Sequence, residues 1–237
     1  MLASSPLPVQ VRTMVRSSLR ALAALLALCA TAASLAASPD RAVPRTGLDA
    51  LQSHVQVGDV VFIRVTARPF LEVATATGSW TNHVGIVVDT GGGVVQVAES
   101  TVPWSRTTSL ARFVARSEDG RVAVRRLPQP LDAAGQAAVR AAAERRLGVR
   151  YDTGFDLHSR GQFCSRFVRE VLNEATGDVV GEVQTFGTLL QARPDTRLGF
   201  WQAWFFGRIP WQRETVTPAS QLQSPRLETV FDGWAGA

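Results

Sequence analysis

The chain has 237 residues, 46% of them apolar, a length and composition that support one substantial domain with its own core. All 25 basic residues are arginines against 20 acids, so the formal net charge is +5, and only +2 once the three arginines ahead of residue 21 are set aside. So small an excess, with no basic run interleaved with aromatics, excludes nucleic acid as the expected partner.

Arg12, Arg16 and Arg20 precede "ALAALLALCATAASLAAS", a stretch without charge and rich in Ala and Leu. Basic, then apolar, then small residues is the order of a secretory signal. The apolar run is short for a spanning helix, which needs about 20 residues. Residues 1–37 are therefore expected to be a cleaved signal, with Met14 as an alternative start and the cut within residues 32–38; a retained signal-anchor is the alternative. Leu28 is too large to precede a lipoprotein cysteine at Cys29. The expected location is the bacterial cell envelope, periplasmic or extracellular, with no stable transmembrane span after cleavage.

A polar lead-in follows over residues 38–56. "VGDVVFIRV" (57–65) is a β-branched run opened by a Gly-Asp turn and reads as a buried strand. Residues 66–82 read as a loop or short helix. "HVGIVVD" and "VVQVAES" flank "TGGG", a hairpin signal. "RVAVRRL" (121–127) reads as another strand, placed at an edge by its arginines. "LDAAGQAAVRAAAERRLG" is a helix with Asp132 as N-cap and Gly148 as C-cap. Cys164 opens a second helix, in which Phe167, Val168, Val171, Leu172 and Ala175 form an apolar stripe that Gly177 ends. Residues 178–214 are rich in aromatics and short of periodicity, and 215–237 read as a loosely ordered tail onto which Phe231 and Trp234 could dock. The expected domain runs over residues 57–214.

Signal removal leaves Cys164 as the lone cysteine. Exported domains use cysteine in pairs, so a single thiol is either a small buried apolar filler or a working group. A cysteine nucleophile needs a base and a third group to hold that base. Of the three histidines, His54 has no evident polar partner and His158 lies in a loop. His83 opens a strand beside Gly85, which would let another element approach closely. A hairpin closed at Asp89 and Gly93 sets His83 opposite Glu99; one residue more in the turn sets it opposite Ser100. A carboxylate at Glu99 could hold the imidazole N–H, although a strand-end histidine and a solvated strand terminus are the plainer readings of each residue alone.

Together, "GDVVF", "SWTNHVGIVVD", "VAES", "YDTGFDL" and "FCSRFV" resemble, in that order, the circularly permuted papain-like amidases of the YaeF/YiiX type, relatives of the NlpC/P60 peptidases. The resemblance covers roughly residues 57–172. It implies an α+β papain-like fold, with a small antiparallel sheet or partial barrel packed against the helix that carries the cysteine. It implies Cys164 as nucleophile, His83 as base and Glu99 as orienting residue. Tyr151 matches a recurrent tyrosine ahead of the cysteine helix and is a candidate substrate contact. Arg166 stands where the common pattern has an acid, and Phe163 where it has a tyrosine. Arg166 is either a second substrate contact or a solvated helix charge.

The expected activity is cleavage of amide bonds, peptide or acyl-amide, through a thioacyl-enzyme. Export favours cell-wall peptides. The cluster Phe200, Trp201, Trp204, Phe205, Phe206 and Trp211 would suit a lipid-linked substrate, with hydrophobic core as its plainer reading. An acyltransferase using the same intermediate and a non-catalytic scaffold that binds cell-wall or lipid ligands are the alternatives. No metal and no cofactor are expected, since no HExxH, CxxC or comparable spacing occurs.

Overall fold

The computed structural model describes residues 44–236, so the signal-like stretch and the expectation of export drawn from it lie outside the described residues. In chain order the elements begin with β1 (Arg45–Gly47), α1 (Leu48–Gln52), β2 (Val60–Val65), α2 (Arg68–Thr77), β3 (His83–Asp89) and β4 (Gln96–Glu99). Then come β5 (Arg106–Ser109), α3 (Leu110–Val114), β6 (Ser117–Arg126), α4 (Ala133–Glu144) and α5 (Cys164–Thr176). The last are β7 (Val183–Thr185), α6 (Phe186–Gln191), α7 (Leu198–Trp204), β8 (Glu214–Val216), α8 (Pro218–Leu222) and β9 (Glu228–Gly236).

Among the described residues the main sheet has seven strands in the order β1-β9-β6-β2-β3-β4-β5, and β7 and β8 form a separate ribbon. Only the β1–β9 pair is parallel. The α+β class is as expected, but the sheet is larger than the small one foreseen and stays open, ending at β1 and β5. β2 explains why its sequence is apolar without a break. Val60 and Phe62 join the core that packs under α4 and α5, while Val61 and Ile63 join the core on the other face with Phe113 and Val97. A strand covered on both sides loses the polar alternation of a half-exposed one.

Two expectations about β6 and the C-terminus are overturned together. β6 lies inside the sheet, between β9 and β2, because residues 228–236 form a full strand rather than a loose tail. The β6 arginines tolerate that interior place by pairing with carboxylates. Arg121 and Arg125 reach Asp232 on β9, and Arg126 clamps buried Asp59 through Nε–Oδ1 at 2.7 Å and Nη2–Oδ2 at 2.8 Å. Trp234 also docks, lying under the guanidinium of Arg121 at 4.9 Å.

The helices follow their end signals. The Asp132 side chain accepts from the N–H of Gly135 at 2.7 Å, capping α4 as expected. α4 stops at Glu144, ahead of Gly148, which takes a left-handed conformation four residues later in a turn (φ 73°). On α5, Phe167, Val168, Val171 and Leu172 are fully buried, and Gly177 caps its end at φ 79°. Because α4 is rich in alanine, its Ala142 and Ala143 let α5 pack close above β3.

Candidate active site

Three ends meet in this packing: the start of β3, the end of β4 and the start of α5. They carry His83, Glu99 and Cys164, all buried. The hairpin reaches this arrangement by neither foreseen register. Ile86 pairs with Ala98 and Val87 with Val97, with a bulge before Asp89, so His83 and Glu99 are diagonal neighbours rather than directly opposite. Relative to the register that would set them opposite, the slip is two residues, which restores the same face; a slip of one would have split them. His83 Nε2 lies 2.6 Å from Glu99 Oε2. The carboxylate can only accept, so Nε2 carries the proton and Nδ1 is free to take another.

Nδ1 has no settled hydrogen-bond partner among the described residues, and the Cys164 thiol is its neighbour. Burial alone would push the imidazole's pKa down. The hydrogen-bonding and charge of Cys164 and Glu99 outweigh it, raising His83 from 6.5 to about 9. Burial likewise favours a protonated Glu99, and His83 and Arg116 overcome it, lowering that carboxyl from 4.5 to about 2. The imidazole is clamped between rings: Phe70 meets it edge-on at 5.7 Å, and Phe113 stacks on it at 5.6 Å.

Local sequence explains the placement of each group. Asn82 pairs both side-chain atoms with the backbone of Val65, at 2.8 and 2.9 Å, and Thr81 donates to Ile63 O at 2.8 Å, so the "TN" before His83 staples β3 to β2. Gly85 is where a Cβ would come 2.6 Å from Val97 Cγ1 and 3.0 Å from Phe113, so its bare backbone lets Phe113 reach the histidine. The approach to Cys164 is held by "YDTGFD": Asp152 accepts from the N–H groups of Gly154 and Asp156 and from the Ser159 hydroxyl. Phe163 caps α5 in extended conformation without a side-chain bond, so the first N–H groups of the helix are uncapped beside the thiol.

The sequence candidates divide. Tyr151 is buried and lines the same cavity as Cys164, its pKa pushed well above 10 by burial and then by the neighbouring Cys164. Arg166 turns away from substrate space. It is bound to Glu170 Oε1 at 2.6 Å and to the carbonyls of Ser159 and Gly161 at 2.7 and 2.9 Å, so it braces the loop before the cysteine. His158 pairs with Glu214 at the surface, and His54 Nδ1 lies 2.6 Å from Ala50 O. Arg116 escaped notice in the sequence. Its Nη2 donates to Glu99 Oε2 at 2.7 Å, and its guanidinium lies 5.0 Å from the Phe113 ring. Nothing in "LARFVAR" marks it, because only the docking of α3 on β6 brings it to Glu99.

Two spaces border Tyr151, and one of them reaches the thiol. One is a narrow apolar cavity of about 40 Å³, walled by Phe70, Val73, Phe155, Phe163, Leu190 and Trp201 and opening onto Cys164. Phe155 enters it from a left-handed backbone (φ 52°), a conformation rare for a bulky side chain and one that clusters at working sites. The other is an open groove of about 510 Å³ that carries Val102 and Pro103 as well as Arg150, Asp152 and Arg160 on its walls. A thiol beside an imidazole backed by a carboxylate can form a thiolate–imidazolium pair, the arrangement used for attack on acyl carbon.

A family model described as "Permuted papain-like amidase enzyme, YaeF/YiiX" matches residues 54–231. A curated relative, the uncharacterized protein YiiX of Escherichia coli, is 28% identical over 180 residues, spanning 76% of this chain and 87% of its own. A crystal structure titled metalloprotein YiiX, from an O157 strain of Escherichia coli, superposes with a TM-score of 0.71 at 28% identity, covering 76% of this chain and 99% of that one. The metal in that title is said of that protein. Among the described residues here, no three His, Cys, Asp or Glu side chains are placed to hold a metal ion.

Proposed function

Because the chain belongs to the permuted papain-like amidases, we propose that it is a thiol hydrolase that cleaves amides through Cys164, His83 and Glu99. The observation that carries this reading is the convergence of three buried groups at element ends: the Cys164 thiol at the start of α5, and the His83 imidazole bonded to the Glu99 carboxylate at 2.6 Å. Cys164 yields its proton to His83 Nδ1, and the sulfur forms a bond to the carbonyl carbon as the C=O π pair moves to oxygen. The uncapped backbone N–H groups at the start of α5, with the Tyr151 hydroxyl, would serve as donors to that oxygen. The C–N bond then breaks, His83 gives its proton to the departing amine, and a thioester remains on Cys164. Water, losing a proton to His83, hydrolyses the thioester and frees the acid and the thiol.

The flanking spaces favour an amide with an apolar acyl side and a polar amine side. The apolar cavity suits the first carbons of the acyl group, and the arginine-lined groove suits a leaving group that carries polar or acidic atoms. An amphiphilic acyl-amide thus fits better than a cell-wall peptide. We place the activity in the cell envelope from the signal-like pattern of residues 12–37.

The test offers the protein long-chain N-acyl amino acids and, separately, cell-wall peptides, and follows products by mass spectrometry. The expected result is release of free fatty acid, a transient acyl adduct on Cys164, and loss of all turnover in Cys164→Ala. Undiminished cleavage by Cys164→Ala would remove the thiol mechanism. Cleavage of the peptides alone would keep the mechanism and overturn the acyl assignment.

A further inference from the structure

α7 has two faces. Its inner side, with Trp201, packs against Phe186 and Leu190 and forms part of the wall of the apolar cavity. Its outer side, Leu198, Gly199, Gln202 and Ala203, is exposed and carries no charge. Just past its end stands Phe206, 98% exposed, in a left-handed conformation (φ 52°) that L side chains rarely adopt. Leu198 and Trp211 are also open, at 41% and 38%. Burial does not explain a phenylalanine held so far into water, and Phe205 beside it turns inward onto Phe186 and Trp201.

The charges around this face are mostly basic. Arg193 and Arg197 precede the helix and Arg208 follows Phe206, all three exposed, with Asp195 as the acid among them. Arg197 leans toward Glu72 at 3.7 Å, whereas Arg193 and Arg208 have no ion-pair partner among the described residues. An uncharged helix face with protruding Leu, Phe and Trp, flanked along the chain by exposed arginines, has the composition of an element that lies in a membrane interface. The arginines match anionic headgroups, and the aromatic and aliphatic tips match the acyl boundary beneath them.

We propose that the segment 193–211 docks on the surface of a membrane containing anionic phospholipid. Phe206 and Leu198 enter the acyl boundary, and Arg193 and Arg208 sit at the headgroup phosphates. Docking in this way brings the wall of the cavity next to Cys164 to the lipid surface. The binding does not depend on Cys164 being a nucleophile.

The test uses Val43–Ala237, which forms a compact unit of its own, with Cys164→Ala to silence any chemistry. Its sedimentation is measured with vesicles of phosphatidylcholine and phosphatidylglycerol in equal amounts, and with phosphatidylcholine alone. The expected result is binding to the anionic vesicles that weakens with added salt. Phe206→Ser should lower the binding constant roughly tenfold. Arg193→Gln combined with Arg208→Gln should lower it roughly tenfold and remove most of the salt dependence. Val94→Ser, on an exposed apolar residue of the β3–β4 turn (48%), should leave binding unchanged. No binding to the anionic vesicles, or binding by Phe206→Ser equal to that of the parent, would overturn the proposal.

Discussion

Glu99 has no exposed surface, yet it stays ionised because three cations or donors converge on it. His83 Nε2 and Arg116 Nη2 share Oε2 at 2.6 and 2.7 Å, and Arg106 Nε lies 3.4 Å from Oε1. Removing one partner of a buried pair leaves a charge without compensation, which is where the large penalties arise. Arg116 is a positioning residue in this set, acting through Glu99 and through the Phe113 ring that stacks on His83. Arg116→Gln is expected to lower stability by about 1–2 kcal/mol, the partial exposure of the arginine moderating the loss. Glu99→Gln removes the negative charge that helps raise His83 to about 9, while its amide oxygen can still accept from Nε2. Activity that requires a protonated His83 falls as pH rises through about 9 in the wild type, so in Glu99→Gln that limb should move toward acid by about one pH unit or more. Chemical denaturation checks the first and a pH profile of kcat/KM the second; a variant with only structural damage would lower the plateau and leave the limb in place.

The elements that carry these residues are set by packing. α5 presents Phe167, Val168, Val171 and Leu172 to the sheet and to α4, and this stripe fixes the height of Cys164 above His83. Phe167→Ala should lower stability by about 3–5 kcal/mol, read from chemical denaturation, because its site is fully buried and cannot collapse freely. Gly85 imposes the opposite constraint. Gly85→Ala forces a Cβ to within 2.6 Å of Val97 and 3.0 Å of Phe113, and should destabilise by about 1–3 kcal/mol while displacing the ring that stacks on His83. Thiol alkylation of Cys164 in that variant is expected to change together with its melting temperature.

At the scale of the molecule, the buried pair couples stability to pH. His83 titrates at about 9 instead of 6.5, so its contribution is complete below 6.5 and is lost as pH rises through about 9. Glu99 titrates at about 2 instead of 4.5, so its contribution is complete above 4.5 and is lost as pH falls through about 2. Both are in place between about pH 4.5 and 6.5, and the melting temperature should be highest there and decline toward pH 9. In His83→Gln the alkaline decline should flatten. A melting curve whose alkaline slope is the same in wild type and variant would show that other groups control it.

Local chemistry was enough for part of this molecule. The apolar run at 60–63, the Asp132 cap, the stripe of α5 with its Gly177 stop, and the bare backbone at Gly85 are each legible in the residue types themselves, although the group that approaches Gly85 comes from Val97 and Phe113. The pieces "NHVG" and "FCSR" were likewise readable as chemistry. Residue types alone therefore tell which groups stand at element ends. How those ends meet was set by long-range packing. The hairpin slipped two residues and still returned Glu99 to the face of His83, because faces alternate with a period of two. β6 took an interior place because a C-terminal strand with no strong pattern supplied Asp232 to its arginines. Arg166 went to loop carbonyls and Arg116 to Glu99, since a long cation binds whichever acceptors the fold brings within reach, and sequence spacing does not encode that.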